Sequence, residues 1–186
     1  MKIINTDIEG VILIQPDVFG DSRGYFMESW NQAEFDKHVG KVRFVQDNES
    51  FSTYGVLRGL HVQRASAAQA KLVRVIEGRV LDVAVDIRKG SPTFGQYVSV
   101  ELTGENHLQL YMPKGFAHGF AVLSPVARFL YKCDSPYAPQ MEAGIAWNDP
   151  QIGIDWGLPA EDIRLSDKDL KHKCLRDIPE DWLFDS

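Results

Sequence analysis

Apolar positions along this chain recur mostly with a period of two. Over residues 11–14, 71–76, 80–86, 97–102, 108–112 and 126–132, short runs of Val, Ile, Leu, Phe and Tyr are separated by turn residues. Such alternation predicts half-buried strands, whose successive side chains point to opposite faces. Val98, Val100 and Leu102 share one face, as do Ala127, Phe129 and Tyr131. Leu81, Val83, Val85 and Ile87 share another, with Asp82 and Asp86 on its reverse. Glu77-Gly78-Arg79, between two of these runs, reads as a hairpin turn. One early helix is expected over residues 31–39, with Asn31 as its cap, Glu34 at the capping-box position and Gly40 at its end. A C-terminal helix is expected to open near residues 165–169, capped by Ser166 with Asp169 three positions on. Many short strands with turns between them point to a β-sandwich or barrel. No helical run alternates with the strands, which disfavours a parallel α/β sheet. No repeat, low-complexity tract or linker interrupts the pattern, so residues 1–186 are expected to form one domain.

The run that breaks the alternation is Gly55-Val56-Leu57-Arg58-Gly59-Leu60-His61-Val62-Gln63. It sets an arginine and a histidine three apart within a strand. Buried, each needs a partner. Gly59 removes a side chain between them, which suggests a bulge or a close backbone approach that turns both toward one cavity.

Composition narrows the function. The 186 residues, 44% apolar and 25% charged, suit one globular unit with a real core. The formal charge of −6 argues against a nucleic-acid or anionic-membrane partner, both of which need a basic face. Cys133 and Cys174 match no paired metal-ligand spacing and are read as reduced and structural. The N-terminus has no signal-peptide core, and no run approaches the roughly 18 apolar residues of a membrane span, so a cytoplasmic location is expected.

Several titratable residues are candidates for chemistry, though each alone also suits a structural role. A histidine side chain is ordinarily the one that exchanges its proton near neutrality, which makes His61 the natural general base. Lys71 can stabilise an oxyanion. Tyr131 shares the inward face of Phe129, where a phenol can donate a proton. His118 follows a turn, and Asp169 is a cap residue. Arg23, Arg58, Lys71 and Lys168 would form a phosphate clamp if they converge, since arginine's fork suits bidentate phosphate contacts. Tyr137, between two prolines, offers a flat face to a base. A metal site built on His-x-His lacks its second histidine, because Gln63 stands there.

Taken together, Phe19-Gly20-Asp21-Ser22-Arg23-Gly24, Gln46-Asp47-Asn48, Val56-Leu57-Arg58-Gly59-Leu60-His61, Gln69-Ala70-Lys71-Leu72-Val73, Ser91-Pro92-Thr93-Phe94-Gly95, Gly115-Phe116-Ala117-His118-Gly119-Phe120, Tyr131-Lys132 and Trp147-Asn148-Asp149 resemble the dTDP-4-dehydrorhamnose 3,5-epimerase family. They follow the family's order across residues 11–169; the loop 64–70 and the tail after Leu170 carry nothing assignable. The resemblance implies a mainly β, cupin-like jelly roll and a homodimer that needs neither metal nor cofactor. It implies epimerisation of dTDP-4-dehydro-6-deoxy-D-glucose at C3 and C5 on the route to dTDP-L-rhamnose. It further implies His61 as base, Asp169 as its orienting carboxylate, Tyr131 as acid and Lys71 as the enolate stabiliser. Arg23, Glu28, Gln46, Asn48, Arg58, His118, Glu142 and Lys168 are implied as substrate contacts, and Tyr137 as the group stacking on thymine. Two rivals stay open at this level. One is a related nucleotide-sugar enzyme, either a single-position epimerase or a 3,4-ketoisomerase. The other is a non-catalytic sugar-nucleotide binding module, which would not need His61 and Tyr131 together.

Overall fold

The computed structural model describes residues 1–185. In chain order its strands are β1 (Lys2–Asn5), β2 (Ile12–Gln15), β3 (Val18–Asp21), β4 (Gly24–Met27), β5 (Gln46–Thr53), β6 (Leu57–Gln63), β7 (Lys71–Glu77), β8 (Arg79–Asp86), β9 (Arg88–Lys89), β10 (Tyr97–Thr103), β11 (Gln109–Met112), β12 (Phe116–Val122), β13 (Val126–Cys133), β14 (Glu142–Gly144) and β15 (Phe184–Asp185). Helix α1 (Gln32–His38) lies between β4 and β5. The larger sheet has six strands in the order β1-β2-β11-β7-β13-β5, and the smaller has five in the order β10-β8-β12-β6-β14. The β3–β4 hairpin stands apart from both, and β9 pairs with β15. The fold is a cupin-like jelly roll.

Inward-facing residues of both sheets meet in one core. Val73, Val75, Leu110 and Phe129 come from the larger sheet, and Val80, Ala84, Leu102 and Phe120 from the smaller. The outer face of the smaller sheet is apolar too. Leu57, Leu60, Val62, Val83 and Val85 are covered there by Ile152, Trp156, Leu175 and the C-terminal turns. Asp149 ties that cover down, accepting from the Leu175 backbone N–H at 2.5 Å and from Gln151 N–H at 2.7 Å. Helix α1 covers the outer face of the larger sheet with Phe35, which meets Tyr111 edge to face. Its start follows the sequence, with the Asn31 side chain accepting from Glu34 N–H at 3.2 Å.

Two expectations fail. The runs around Gly78 form no hairpin: β7 pairs with β11 and β13, whereas β8 pairs with β10 and β12. Gly78 is the corner at which the chain passes from one sheet to the other. Its φ is +80°, and a Cβ there would lie 2.0 Å from the Val126 carbonyl oxygen. A tight glycine corner resembles a hairpin turn in sequence, but the burial of both faces of β8 requires a sheet with cover on each side. The C-terminal helix is likewise absent. The Ser166 hydroxyl does accept from Asp169 N–H at 3.1 Å, but only one 3₁₀ turn, Asp169–Lys171, follows. The chain is then drawn into a parallel bridge between Lys173 and Ile145, and that tertiary pairing overrides the local signal.

Candidate active site

The geometry of β6 creates the site. Opposite it on β12, His118 pairs with His61 and Phe120 with Arg58, so a single residue, Gly119, faces both Gly59 and Leu60. This bulge breaks the alternation: Arg58, His61 and Gln63 all face inward, while Leu57, Leu60 and Val62 face the outer cluster. The backbones touch where it forms, since a Cβ on Gly59 would lie 2.6 Å from the Gly119 Cα. The expected close approach is therefore present, and it places an arginine and a histidine three apart on one wall.

That wall borders a cavity of about 350 Å³ between the sheets. The smaller sheet contributes Arg58, His61, Gln63, His118, Phe120 and Glu142, and the larger contributes Gln46, Asn48, Lys71, Phe129, Tyr131 and Cys133, with Tyr137 at the rim. His61 and Tyr131 therefore stand on opposing walls. His61 Nε2 is 2.6 Å from Asp169 Oδ1, which leaves Nδ1 as the second nitrogen of the ring. Asp169 is buried, and burial alone would raise its pKa. The hydrogen bond from His61, that residue's charge and Ser166 outweigh it and hold the carboxyl below its ordinary range. Burial raises the Tyr131 phenol, assisted by Cys133 and opposed by Arg58, so it keeps its proton at neutral pH. Burial lowers Lys71, opposed by Cys133, Asp82 and Glu142. Its ammonium nitrogen lies 6.0 Å from the centroid of the Tyr131 ring.

Most other expected residues converge here. Gln46 accepts from the Tyr137 backbone N–H at 2.9 Å, and Tyr137 donates its hydroxyl to Glu142 at 2.5 Å. Lys168 pairs with Glu142 from outside, and these two partners hold Glu142 below its ordinary pKa against the effect of burial. Arg58 bonds Ser52 at 3.2 Å. Arg23 and Glu28 do not reach the cavity. Arg23 sits at the tip of the β3–β4 hairpin, 88% exposed and paired with Asp21, and Glu28 lies beside Trp30 near α1.

Asp82 and His172 were not singled out by spacing, and Gln63 only as the residue in place of a second histidine. Asp82, fully buried, holds His118 Nε2 at 2.9 Å. Burial lowers the His118 pKa more than Asp82 raises it. The missed signal was that Val80 and Ala84, on the same face as Asp82, are also apolar, which makes that face interior. Gln63 is a brace rather than a ligand. Its amide donates to the Ala67 carbonyl at 2.8 Å and accepts from Ala138 N–H at 2.6 Å, so it holds the two loops at the rim. His172 packs behind Asp169, and nothing in its local sequence pointed there. No helix among the described residues is long and apolar enough to cross a membrane.

The family model described as dTDP-4-dehydrorhamnose 3,5-epimerase matches residues 5–177. A protein of that name from Shigella flexneri is 56% identical over 91% of this chain and 93% of its own length. One from Methanothermobacter thermautotrophicus is 51% identical over 96% of each. The crystal structure of dTDP-6-deoxy-D-glucose-3,5-epimerase from Legionella pneumophila, in complex with dTDP-4-keto-L-rhamnose, is 50% identical. It superposes with a TM-score of 0.96 over 100% of this chain and 98% of that one.

Proposed function

The chain belongs to the dTDP-4-dehydrorhamnose 3,5-epimerase family, and from that membership we propose how its own residues perform the reaction. The protein is an isomerase that epimerises dTDP-4-dehydro-6-deoxy-D-glucose at C3 and C5, giving dTDP-4-dehydro-L-rhamnose. Both carbons flank the C4 ketone, so loss of either proton sends its electron pair to the same oxygen as an enolate. His61, held by Asp169 through one ring nitrogen, takes the proton with the other. Tyr131 returns a proton to the opposite face of the same carbon, and solvent exchange resets both groups before the second centre reacts. Lys71 meets the charge on the enolate oxygen, where a fixed cation in a sheltered cavity is most effective. Arg58, Gln46, Asn48, His118, Glu142 and Lys168 hold the sugar and diphosphate, and the Tyr137 ring stacks on thymine at the rim.

The observation that carries this reading is that His61 and Tyr131 line one cavity from different sheets. Inversion needs that arrangement, whereas a pair on one wall would only exchange hydrogen. We further propose a cytoplasmic homodimer of single-domain subunits that binds neither nucleic acid nor membrane. Support for the dimer is the β3–β4 hairpin, which leaves Phe19 65% and Phe26 70% exposed. Isolated apolar residues are ordinary on a surface, but a hairpin that projects two aromatics suits a second copy. On this reading Arg23 and Glu28 serve the partner's cavity, which accounts for their distance from their own.

The test is proton NMR of the nucleotide sugar after incubation with pure protein. The expected product is inverted at both C3 and C5. A product inverted at one position only, or with its ketone moved to C3, would replace this reading by one of its rivals.

A further inference from the structure

Asp169 has a second imidazole beside it. His172 follows three residues later in the same turn, and its Nδ1 is 4.0 Å from Asp169 Oδ1. That is the oxygen His61 Nε2 approaches to 2.6 Å. The His172 side chain is only 10% exposed, and its Nδ1 is buried without a hydrogen-bond partner. The two histidine rings meet edge to face, with centroids 5.8 Å apart and planes at 88°. On its other side the His172 ring lies against the backbone of β14. A Cβ on Gly144 would come within 2.2 Å of Cε1 and 2.4 Å of both ring nitrogens, so the seat exists only because residue 144 is glycine. The Lys173–Ile145 bridge fixes the backbone next to it.

A buried, unpaired imidazole nitrogen is costly and calls for an explanation. Among the described residues, Asp169 is the only carboxylate within 4.0 Å of this one. We propose that His172 is a positioning residue for the catalytic base: a small turn of its ring brings the Nδ1–H from 4.0 Å into hydrogen-bond range of Asp169 Oδ1 and holds the carboxylate between two imidazoles. The inference rests on His61 being the base. His172 itself neither gains nor loses a proton, and Asp169 stays ionised. The groups that face His172 fit a neutral ring. Burial lowers its pKa, His61 on β6 and Lys168 on its own turn act the same way, and Asp169 and Glu142 on β14 oppose them. The contact has two consequences. The edge of His172 limits rotation of the His61 ring. Its N–H also takes up part of the Asp169 charge, so that the carboxylate pulls less strongly on the His61 proton and releases it more readily.

Two variants separate the N–H from the ring. His172→Phe keeps the ring and the edge contact but removes the donor, whereas His172→Asn keeps a donor near Nδ1 but removes the ring. In the Phe variant the acidic limb of kcat/KM against pH should move up by on the order of one pH unit, the scale of one charge-assisted hydrogen bond. KM should stay within about twofold, because no substrate contact is lost. In the Asn variant the limb should stay at the wild-type position. Proton NMR of the free enzyme gives a readout independent of turnover: wild type should show three downfield ring N–H resonances, from His61 and His172 on Asp169 and from His118 on Asp82, and His172→Phe only two. Only two such resonances in wild type, a Phe limb identical to wild type, or an Asn limb displaced as far as the Phe limb would overturn the proposal. If His172→Phe does not fold, the wild-type resonance count and the limb of the Asn variant decide together. Failure of the underlying reading looks different. His61→Asn would remain active, whatever the His172 resonance shows.

Discussion

At the scale of single residues, the site divides into groups that hold and groups that transfer protons. On the proposed reading the contacts of Arg58 and Lys168 with the diphosphate persist from bound substrate to transition state, so Arg58→Ala or Lys168→Ala should raise KM and leave kcat nearly unchanged. His61→Ala should do the reverse, lowering kcat by roughly 10²- to 10⁴-fold while a titration still detects ligand binding. No binding at all would make His61 a structural residue. The commitments of individual side chains bear on the metal question as well. Among the described residues no three His, Cys, Asp or Glu side chains are grouped as a metal ion would require, and the Gln63 amide is held by two loops. Activity should therefore survive exhaustive chelation, and an activity that returns only with one divalent ion would contradict this.

At the scale of elements, strand β6 with its bulge matters most. Gly59→Ala would put a Cβ 2.6 Å from the Gly119 Cα at a φ of +133°. The overlap is backbone against backbone, so β6 must shift rather than a side chain rotate. We expect a loss of at least about 2 kcal/mol in a denaturant titration. Activity should fall further than stability accounts for, because Arg58 and His61 would no longer share a wall. A variant with wild-type turnover would show that the bulge is dispensable. This bulge was legible in the sequence, since a glycine between two polar residues in an apolar strand has few other uses. The strands were legible by their period, and α1 by its cap. What was not legible depended on partners far along the chain. The corner at Gly78 has the residues of a hairpin turn, and only the pairing of β7 with β13 and of β8 with β12 tells the two apart. The Ser166 cap forms as expected, but the helix does not, because Ile145 captures the backbone after it. Asp82 and His172 are built into the site by the packing of sheets and tail; only the apolar Val80 and Ala84 on its own face mark Asp82, and no local pattern marks His172.

At the scale of the whole molecule, stability, assembly and catalysis each depend on parts distant in sequence. Asp86 closes the turn after β8, accepting from Arg88, Ser91 and Thr93. Burial would raise its pKa, but these bonds lower it to about 2. A carboxylate depressed on folding contributes stability that is complete above the ordinary value near 3.8 and is lost as pH falls toward about 2. Asp86→Asn should therefore cost roughly 2 kcal/mol at neutral pH and make acid unfolding less steep in that window. Equal stability of the variant and wild type at pH 7 would contradict it. Light scattering should find two copies of the 21.0 kDa chain, and Phe26→Asp on the exposed hairpin should yield monomers. A wild-type monomer would remove the dimer and the role given to Arg23 and Glu28. On the proposed mechanism catalysis depends on both sheets, because one carries the base and the other the acid. Tyr131→Phe removes the acid and keeps the ring packed on Phe129. In deuterated water, wild-type enzyme should incorporate deuterium beside the ketone and invert the carbon together, as followed by NMR of the sugar over time. The Phe variant should still exchange, because His61 can return deuterium to the face it deprotonated, while inversion falls far behind. Inversion as fast as exchange in that variant would mean that another group delivers the second proton, and the two-wall account would be wrong.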